Sequence, residues 1–271
     1  MMLVNGKPAP HIPADDRGLA YGDGVFRTLR AVAGRPLQWG RHYAKLHHDC
    51  GALDLSCPPE SVLLADVQRV AVGHALATVK IIVTRGGGPR GYAPPRGGVP
   101  SRIVMAEASA PPARHANGVT VRLCRLRLSH QPALAGVKHL NRLENVLARA
   151  EWNDSATAEG LLLDQEGFAI GGTMSNLFII EDGALITPDL SRSGVAGVTR
   201  DRIIDLAKQA GTGCRVEALP YPRVRNAEGA FLVNSLIGLW PIASLEGRTW
   251  VPTTLARDFA HALETDDAAR D

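Results

Sequence analysis

Lysine is scarce in this chain of 271 residues, occurring only at Lys7, Lys45, Lys80, Lys138 and Lys208. Lys138 stands in Gly136-Val137-Lys138-His139-Leu140-Asn141, just ahead of an amphipathic stretch. An ammonium between apolar neighbours is unfavourable to bury unless its pKa falls or it reacts. That is the setting of lysines that form a Schiff base with a carbonyl. The same side chain could instead run its stem along apolar surface and keep its head in water, and the residues alone leave both open. A second segment, Gly197-Val198-Thr199-Arg200, opens a helix. Free N–H groups and the positive dipole end make such a place an anion site, to which Thr199 can add a hydroxyl; an ordinary threonine cap is the alternative. A third, Arg85-Gly86-Gly87-Gly88-Pro89-Arg90-Gly91-Tyr92, formally contains G-x-G-x-x-G, but Pro94-Pro95 follow where a dinucleotide unit needs a helix. It reads as a loop presenting Arg90 to a carboxylate, against the alternative of a solvated flexible loop.

The elements that must position these segments are strands joined largely by hairpins, with helices between them. Met2–Val4 is a strand closed by Asn5-Gly6, a tight-turn pair. Val25 to Val32 is a strand, Gly34-Arg35-Pro36 turns it into a second that ends near Trp39, and helices follow over His42 to Leu53 and Glu60 to Leu76. Val79 to Thr84 and Arg102 to Ala106 are strands. Residues 109–117, rich in Pro and Ala, form an interdomain loop. Beyond it, strands are expected at Val119 to Leu126, Gly160 to Asp164, Asn176 to Ile180 and Phe231 to Asn234. Leu143, Val146, Leu147 and Ala150 recur at helical spacing on one face. Arg200 to Ala210 is a helix with Ile203, Leu206, Ala207 and Ala210 inward and Gly211 as its stop, and a last helix begins near Thr254. The expected fold is α+β in two domains, 1–108 and 118–271, the second carrying Lys138.

Composition narrows the function. Hydrophobic residues make up 45%, enough for a core. Thirty basic against 27 acidic residues, formal charge +3, do not argue for nucleic acid. No apolar run approaches the ~20 residues of a membrane span, and no signal peptide is visible at the start. Cys50, Cys57, Cys124 and Cys214 form no C-x-x-C pair, so no metal site is expected and a reduced cytoplasmic enzyme acting on a small molecule fits.

Taken together the segments resemble the fold-type IV enzymes dependent on pyridoxal 5'-phosphate (PLP), which include branched-chain and D-amino-acid aminotransferases and 4-amino-4-deoxychorismate lyase. The resemblance runs nearly end to end. It rests on Asp16-Arg17-Gly18-Leu19-Ala20-Tyr21-Gly22-Asp23-Gly24-Val25-Phe26, on residues 136–144 (G-V-K-H-L-N-R-L-E), on Ser175-Asn176-Leu177-Phe178 and on Gly194-Val195-Ala196-Gly197-Val198-Thr199-Arg200. The K-H-L-N-R-L-E string, the G-R-G-Y loop and Thr28 are similar to the lyase branch rather than the aminotransferases. The resemblance implies a cofactor cleft between the domains and a homodimer. It makes Lys138 the covalent PLP lysine, places Lys45, Val198, Thr199 and Ser235 at the PLP phosphate and gives Arg90 and Tyr92 a substrate carboxylate. Thr28 would sit near the leaving group. The implied reaction is conversion of 4-amino-4-deoxychorismate to 4-aminobenzoate and pyruvate, a step toward folate; amino transfer and a catalytically degenerate binding role are the alternatives.

Departures from the pattern stand out. The family has a glutamate for the PLP pyridine nitrogen five residues before the asparagine of the N-L-F segment, and here that position is Gly171. The carboxylates nearest in sequence are Asp164 and Glu166. Lys45 replaces an arginine of the family, keeping charge but losing the bidentate fork, and Arg27 occupies a position often acidic in relatives. Loss of the pyridine partner predicts a weaker electron sink and slow turnover.

Overall fold

The computed structural model describes residues 1–95, 97–113 and 115–268. The described residues form two compact units: Met1–Pro111 with Val137–Asn141, and Pro112–Gly136 with the residues from 142 to 268.

The first unit runs β1 (Met2–Val4), β2 (Lys7–Pro8), α1 (Arg17–Tyr21), β3 (Gly24–Val32), β4 (Arg35–Pro36), α2 (Trp39–Ala52), α3 (Glu60–Ala71), β5 (Leu76–Thr84) and β6 (Ser101–Ala108). The strands make one antiparallel sheet in the order β2-β1-β6-β5-β3-β4. Alternation along β3 and β5 turns Val25, Leu29, Ala31, Val79, Ile81 and Val83 to a buried face, where Leu46, Cys50, Leu63, Val67 and Val70 of α2 and α3 complete the core. The opposite residues, Phe26, Thr28, Lys80 and Ile82, are only half-buried. The helix expected to run to Leu76 stops at Ala71, because Gly73 adopts a left-handed φ of 83° and Leu76 already pairs with Val32. The strand expected after Pro36 shortens to β4, since α2 begins at Trp39.

The second unit adds β7 (Val119–Leu128), α4 (Leu143–Arg149), β8 (Thr157–Asp164), β9 (Ala169–Gly172), β10 (Asn176–Glu181), β11 (Ala184–Pro188), α5 (Val198–Gln209), β12 (Cys214–Glu217), α6 (Tyr221–Asn226), β13 (Gly229–Asn234), β14 (Gly238–Leu245), β15 (Arg248–Thr249) and α7 (Thr254–Ala268). Its mixed sheet has the order β12-β11-β10-β13-β14-β7-β8-β9, with β15 beside β14. β9 returns against β10 and β11, so the sheet curls on itself. One core, around Leu161, Leu177, Ile179, Leu232 and Ile242, fills one side. Another, around the stacked Phe178 and Phe231, seats α5 and α7 on the other.

Several expectations change. The Lys138 segment packs with the first unit, not with the second as the 118–271 domain implied, because it hydrogen-bonds along β3. Ala210, expected inward, is exposed; it caps α5 just before Gly211 at φ 68°. The apolar face of α4 is largely uncovered, with Leu143 75%, Val146 59% and Leu147 60% exposed. Among the described residues no helix is long and apolar enough to cross a membrane.

Candidate active site

The Lys138 segment is fixed through its backbone. Val25 and His139 form an antiparallel bridge. The Phe26 N–H donates to the Lys138 carbonyl at 3.0 Å and the Leu140 N–H to the Gly24 carbonyl at 2.9 Å. The Lys138 N–H donates to Asp49 Oδ2 at 3.1 Å, and the same oxygen forms a buried ion pair with Arg27. Burial pushes the Asp49 carboxyl up, against the pull of Arg27. Arg27, an oddity in the sequence, thus turns to the core face of β3 and supports the residue that holds the Lys138 backbone. Above this anchor the Lys138 ammonium lies 4.5 Å from the Phe26 ring centroid. Lys80, which the sequence offered only as a rival lysine, reaches the same ring at 5.1 Å. Thr28, two residues from Phe26, shares that face of β3 and sits opposite Lys80 in register. The structure therefore brings Lys138, Thr28 and Lys80 to one side of the first sheet. Lys45 is half-buried on α2, and its carbonyl accepts from Arg27 at 3.3 Å.

The glycine-rich loop is tied down at its base. Arg17, almost wholly buried, donates to the carbonyls of Gly91 at 2.8 Å and Tyr92 at 3.1 Å, and the Gly91 N–H donates to the Tyr21 hydroxyl at 2.9 Å. Asp23 accepts from Arg17 at 2.9 Å and from Arg85 at 2.8 Å. Burial alone would raise the Asp23 carboxyl, but the two guanidiniums outweigh it and hold it below the usual range. Arg90 and Tyr92 are exposed at the tip of this braced loop, the Tyr92 and Tyr21 rings meeting edge to face with centroids 5.5 Å apart. The bracing by Arg17 was not legible beforehand, because it joins residues 74 and 75 positions apart.

In the second unit, α5 begins with no side-chain cap on its first N–H groups. Buried Thr199 places its hydroxyl 3.4 Å from that of Ser235, which follows β13, and Val198 lies in the same first turn. Asn176 fixes this end: its amide donates to the Val195 carbonyl at 2.7 Å and its oxygen accepts the Gly197 N–H at 3.1 Å. A Cβ at Gly197 would fall 2.4 Å from that oxygen, so only glycine allows the approach.

Gly171 lies in β9, opposite Leu162 of β8. Its neighbourhood contains a buried carboxylate that sequence reasoning missed. Glu159, 1% exposed, accepts N–H bonds from Gly160 at 2.9 Å, Thr173 at 3.1 Å and Met174 at 3.2 Å, and hydroxyl bonds from Thr173 and, at 2.8 Å, Ser175. It organises the turn from β9 to β10. The two acids considered beforehand are engaged elsewhere. Asp164 holds His130 at 2.9 Å and the N–H groups of Glu166 and Phe168. Glu166 pairs with Arg192 at 2.6 and 2.7 Å. A Cβ at Gly171 would meet the Ser175 carbonyl oxygen at 2.8 Å, closer than an unshifted backbone tolerates.

The family pattern of class IV amino-transferases matches residues 24–245, spanning most of both units. The chain belongs to that family. Members have the fold-type IV architecture and depend on PLP, and this chain is such an enzyme. It is 33% identical over 249 residues to the aminodeoxychorismate lyase of Vibrio harveyi, covering 90% of this chain and 91% of that one. Its fold superimposes on the crystal structure of 4-amino-4-deoxychorismate lyase from Pseudomonas aeruginosa with a TM-score of 0.94 and 41% identity, covering 98% and 99% of the two chains. It is also 23% identical over 265 residues to the D-alanine aminotransferase of Bacillus licheniformis, covering 93% and 90%. The residues fit the cofactor of a class IV enzyme in two respects: the uncapped start of α5 with paired hydroxyls suits a phosphate, and Lys138 offers an amine on a fixed backbone. At Gly171, where the resemblance led one to expect a carboxylate for the ring nitrogen, the chain has none.

Proposed function

We propose that this chain is a PLP-dependent carbon–oxygen lyase that converts 4-amino-4-deoxychorismate to 4-aminobenzoate and pyruvate in folate synthesis. The observation that carries the reading is the end-to-end likeness to two lyases of that name, at 33% and 41% identity. It is supported by the lyase-like K-H-L-N-R-L-E segment and by the braced loop bearing Arg90 and Tyr92. Bound PLP supplies an electron sink. The Lys138 amine removes the proton from the substrate carbon that bears nitrogen, and its fixed backbone limits where that amine can reach. Thr28, on the Phe26 face, donates to the departing enol oxygen. Arg90 holds a carboxylate through its fork of N–H groups. Lys45, Val198, Thr199 and Ser235 hold the cofactor phosphate. Gly171 makes turnover slow, since loss of one preorganised charge partner costs on the order of 3 kcal/mol.

Amino transfer is the second reading, favoured by the likeness to a D-alanine aminotransferase. Purified protein supplied with PLP and 4-amino-4-deoxychorismate should release 4-aminobenzoate without any added keto acid, and Arg90→Ala should raise KM while leaving the cofactor absorbance unchanged. Product formation only when a keto acid is present would overturn the lyase reading. A homodimer in the cytoplasm belongs to the same proposal. The uncovered Leu143, Val146 and Leu147 face on α4 suits a second copy, and the four cysteines are all free thiols.

A further inference from the structure

The end of α2 doubles back on itself. The N–H groups of Leu53 and Leu55 both donate to the Cys50 carbonyl, at 3.1 and 2.8 Å, and Asp54 takes a left-handed φ of 51° to allow it. Two residues on, Cys57 packs against the same core as fully buried Cys50. The Tyr43 hydroxyl donates to the Pro58 carbonyl at 3.2 Å and pins this return segment to α2. The reversal thus returns the chain to Cys50 within two residues of Cys57, and the two thiols share one core and influence each other's titration. They are also unequal: Cys57 is partly open to solvent and Cys50 is closed off. The Cys50 hydrogen bond holds the Cys57 thiol below its ordinary range, whereas the Cys57 thiol and burial push Cys50 up. The other cysteines lack this arrangement: Cys124 belongs to a different core and is pushed up to about 12 by burial, and burial also raises Cys214.

We propose that Cys50 and Cys57 form a redox modification site at which a peroxide drives closure of an intramolecular disulfide. Chemistry starts at Cys57, because the thiolate is the nucleophile and of the two residues only Cys57 is partly open to solvent. The Cys57 sulfur attacks one peroxide oxygen, the O–O bond breaks, and the departing hydroxide takes up a proton as water. Cys57 is then a sulfenic acid, oxidised by two electrons. The Cys50 sulfur attacks it, an S–S bond forms, the S–O bond breaks, and the hydroxyl leaves as water with the Cys50 proton. In sum, two thiols and one hydrogen peroxide give one disulfide and two waters. The bond closes beside Asp49, the residue that receives the Lys138 N–H.

Treatment of the holoenzyme with hydrogen peroxide, followed by denaturing alkylation and tryptic mapping, tests this. Leu46 to Arg69 is a single tryptic peptide carrying both cysteines. The expected product is that peptide short of two hydrogens, both cysteines protected from alkylation until dithiothreitol is added. Cys50→Ser should halt the reaction at a Cys57 sulfenic acid that dimedone traps, and Cys57→Ser should leave Cys50 fully alkylated. The proposal fails if peroxide consumes Cys124 or Cys214 first. It also fails if Cys57 proceeds to sulfinic acid with Cys50 still reduced, or if Cys57→Ser does not prevent loss of the Cys50 thiol.

Discussion

The Lys138 segment and the Gly171 strand are two parts of one proposed catalytic apparatus, and they have been treated differently. Around Lys138 every supporting bond is present: two backbone bonds to β3, the N–H to Asp49, and Arg27 beneath Asp49. Around Gly171 the scaffold is equally complete, with Glu159 satisfying two N–H groups and two hydroxyls of the β9–β10 turn besides the Gly160 N–H of its own strand. What Gly171 lacks is a side chain, and the family resemblance is what leads one to expect a carboxylate there. Structural support and chemical function are thus separable. Moreover, the Gly171 backbone has settled so closely against the Ser175 carbonyl that restoring a side chain requires the turn to shift.

The comparison is broken most sharply at the lysine. Lys138→Ala should lower turnover by on the order of a thousandfold or more, and borohydride reduction of the wild-type holoenzyme followed by peptide mapping should label Lys138. A label on Lys80, which reaches the same ring, would transfer the role to that residue. Next in size is the anchor. Asp49→Ala leaves Arg27 buried without its carboxylate and should cost about 3–5 kcal/mol in urea unfolding; a change below about 1 kcal/mol would mean that the ion pair is not part of the support.

At the other region, Gly171→Glu should raise turnover by up to about a hundredfold while lowering Tm, with Gly171→Ala as its control. Alanine carries the same steric conflict with Ser175 and should lower Tm without raising turnover. If glutamate brings no gain, the missing carboxylate is not what limits the enzyme. The smallest effect is expected at Glu159. Glu159→Gln sets an amide nitrogen against N–H donors and should cost about 1–3 kcal/mol in stability, with cofactor absorbance retained in the folded fraction. Loss of cofactor without loss of stability would instead give Glu159 a direct part at the ring.

What the sequence by itself determined is local. Alternation marked β3, a near-continuous apolar run marked β5, Asn5-Gly6 marked the first hairpin and Gly211 the end of α5, because each depends on neighbours in the chain or on a left-handed φ that few residues adopt. The scarcity of lysine left a short list from which the K-H-L-N-R-L-E setting picked Lys138, and position 171 could be counted from Asn176 against the family pattern. Tertiary structure alone decided which unit holds the lysine segment, for that turns on hydrogen bonds between residues 26 and 138 and between 49 and 138. It decided that Arg27 would meet Asp49, that Arg17 would brace the loop of Arg90, and that Glu159 would organise the turn after Gly171. It also left the apolar face of α4 uncovered, although its spacing is that of any core-facing helix. Helical or strand periodicity records that a side chain is directed to one face; it carries no information about which distant partner, if any, will cover that face.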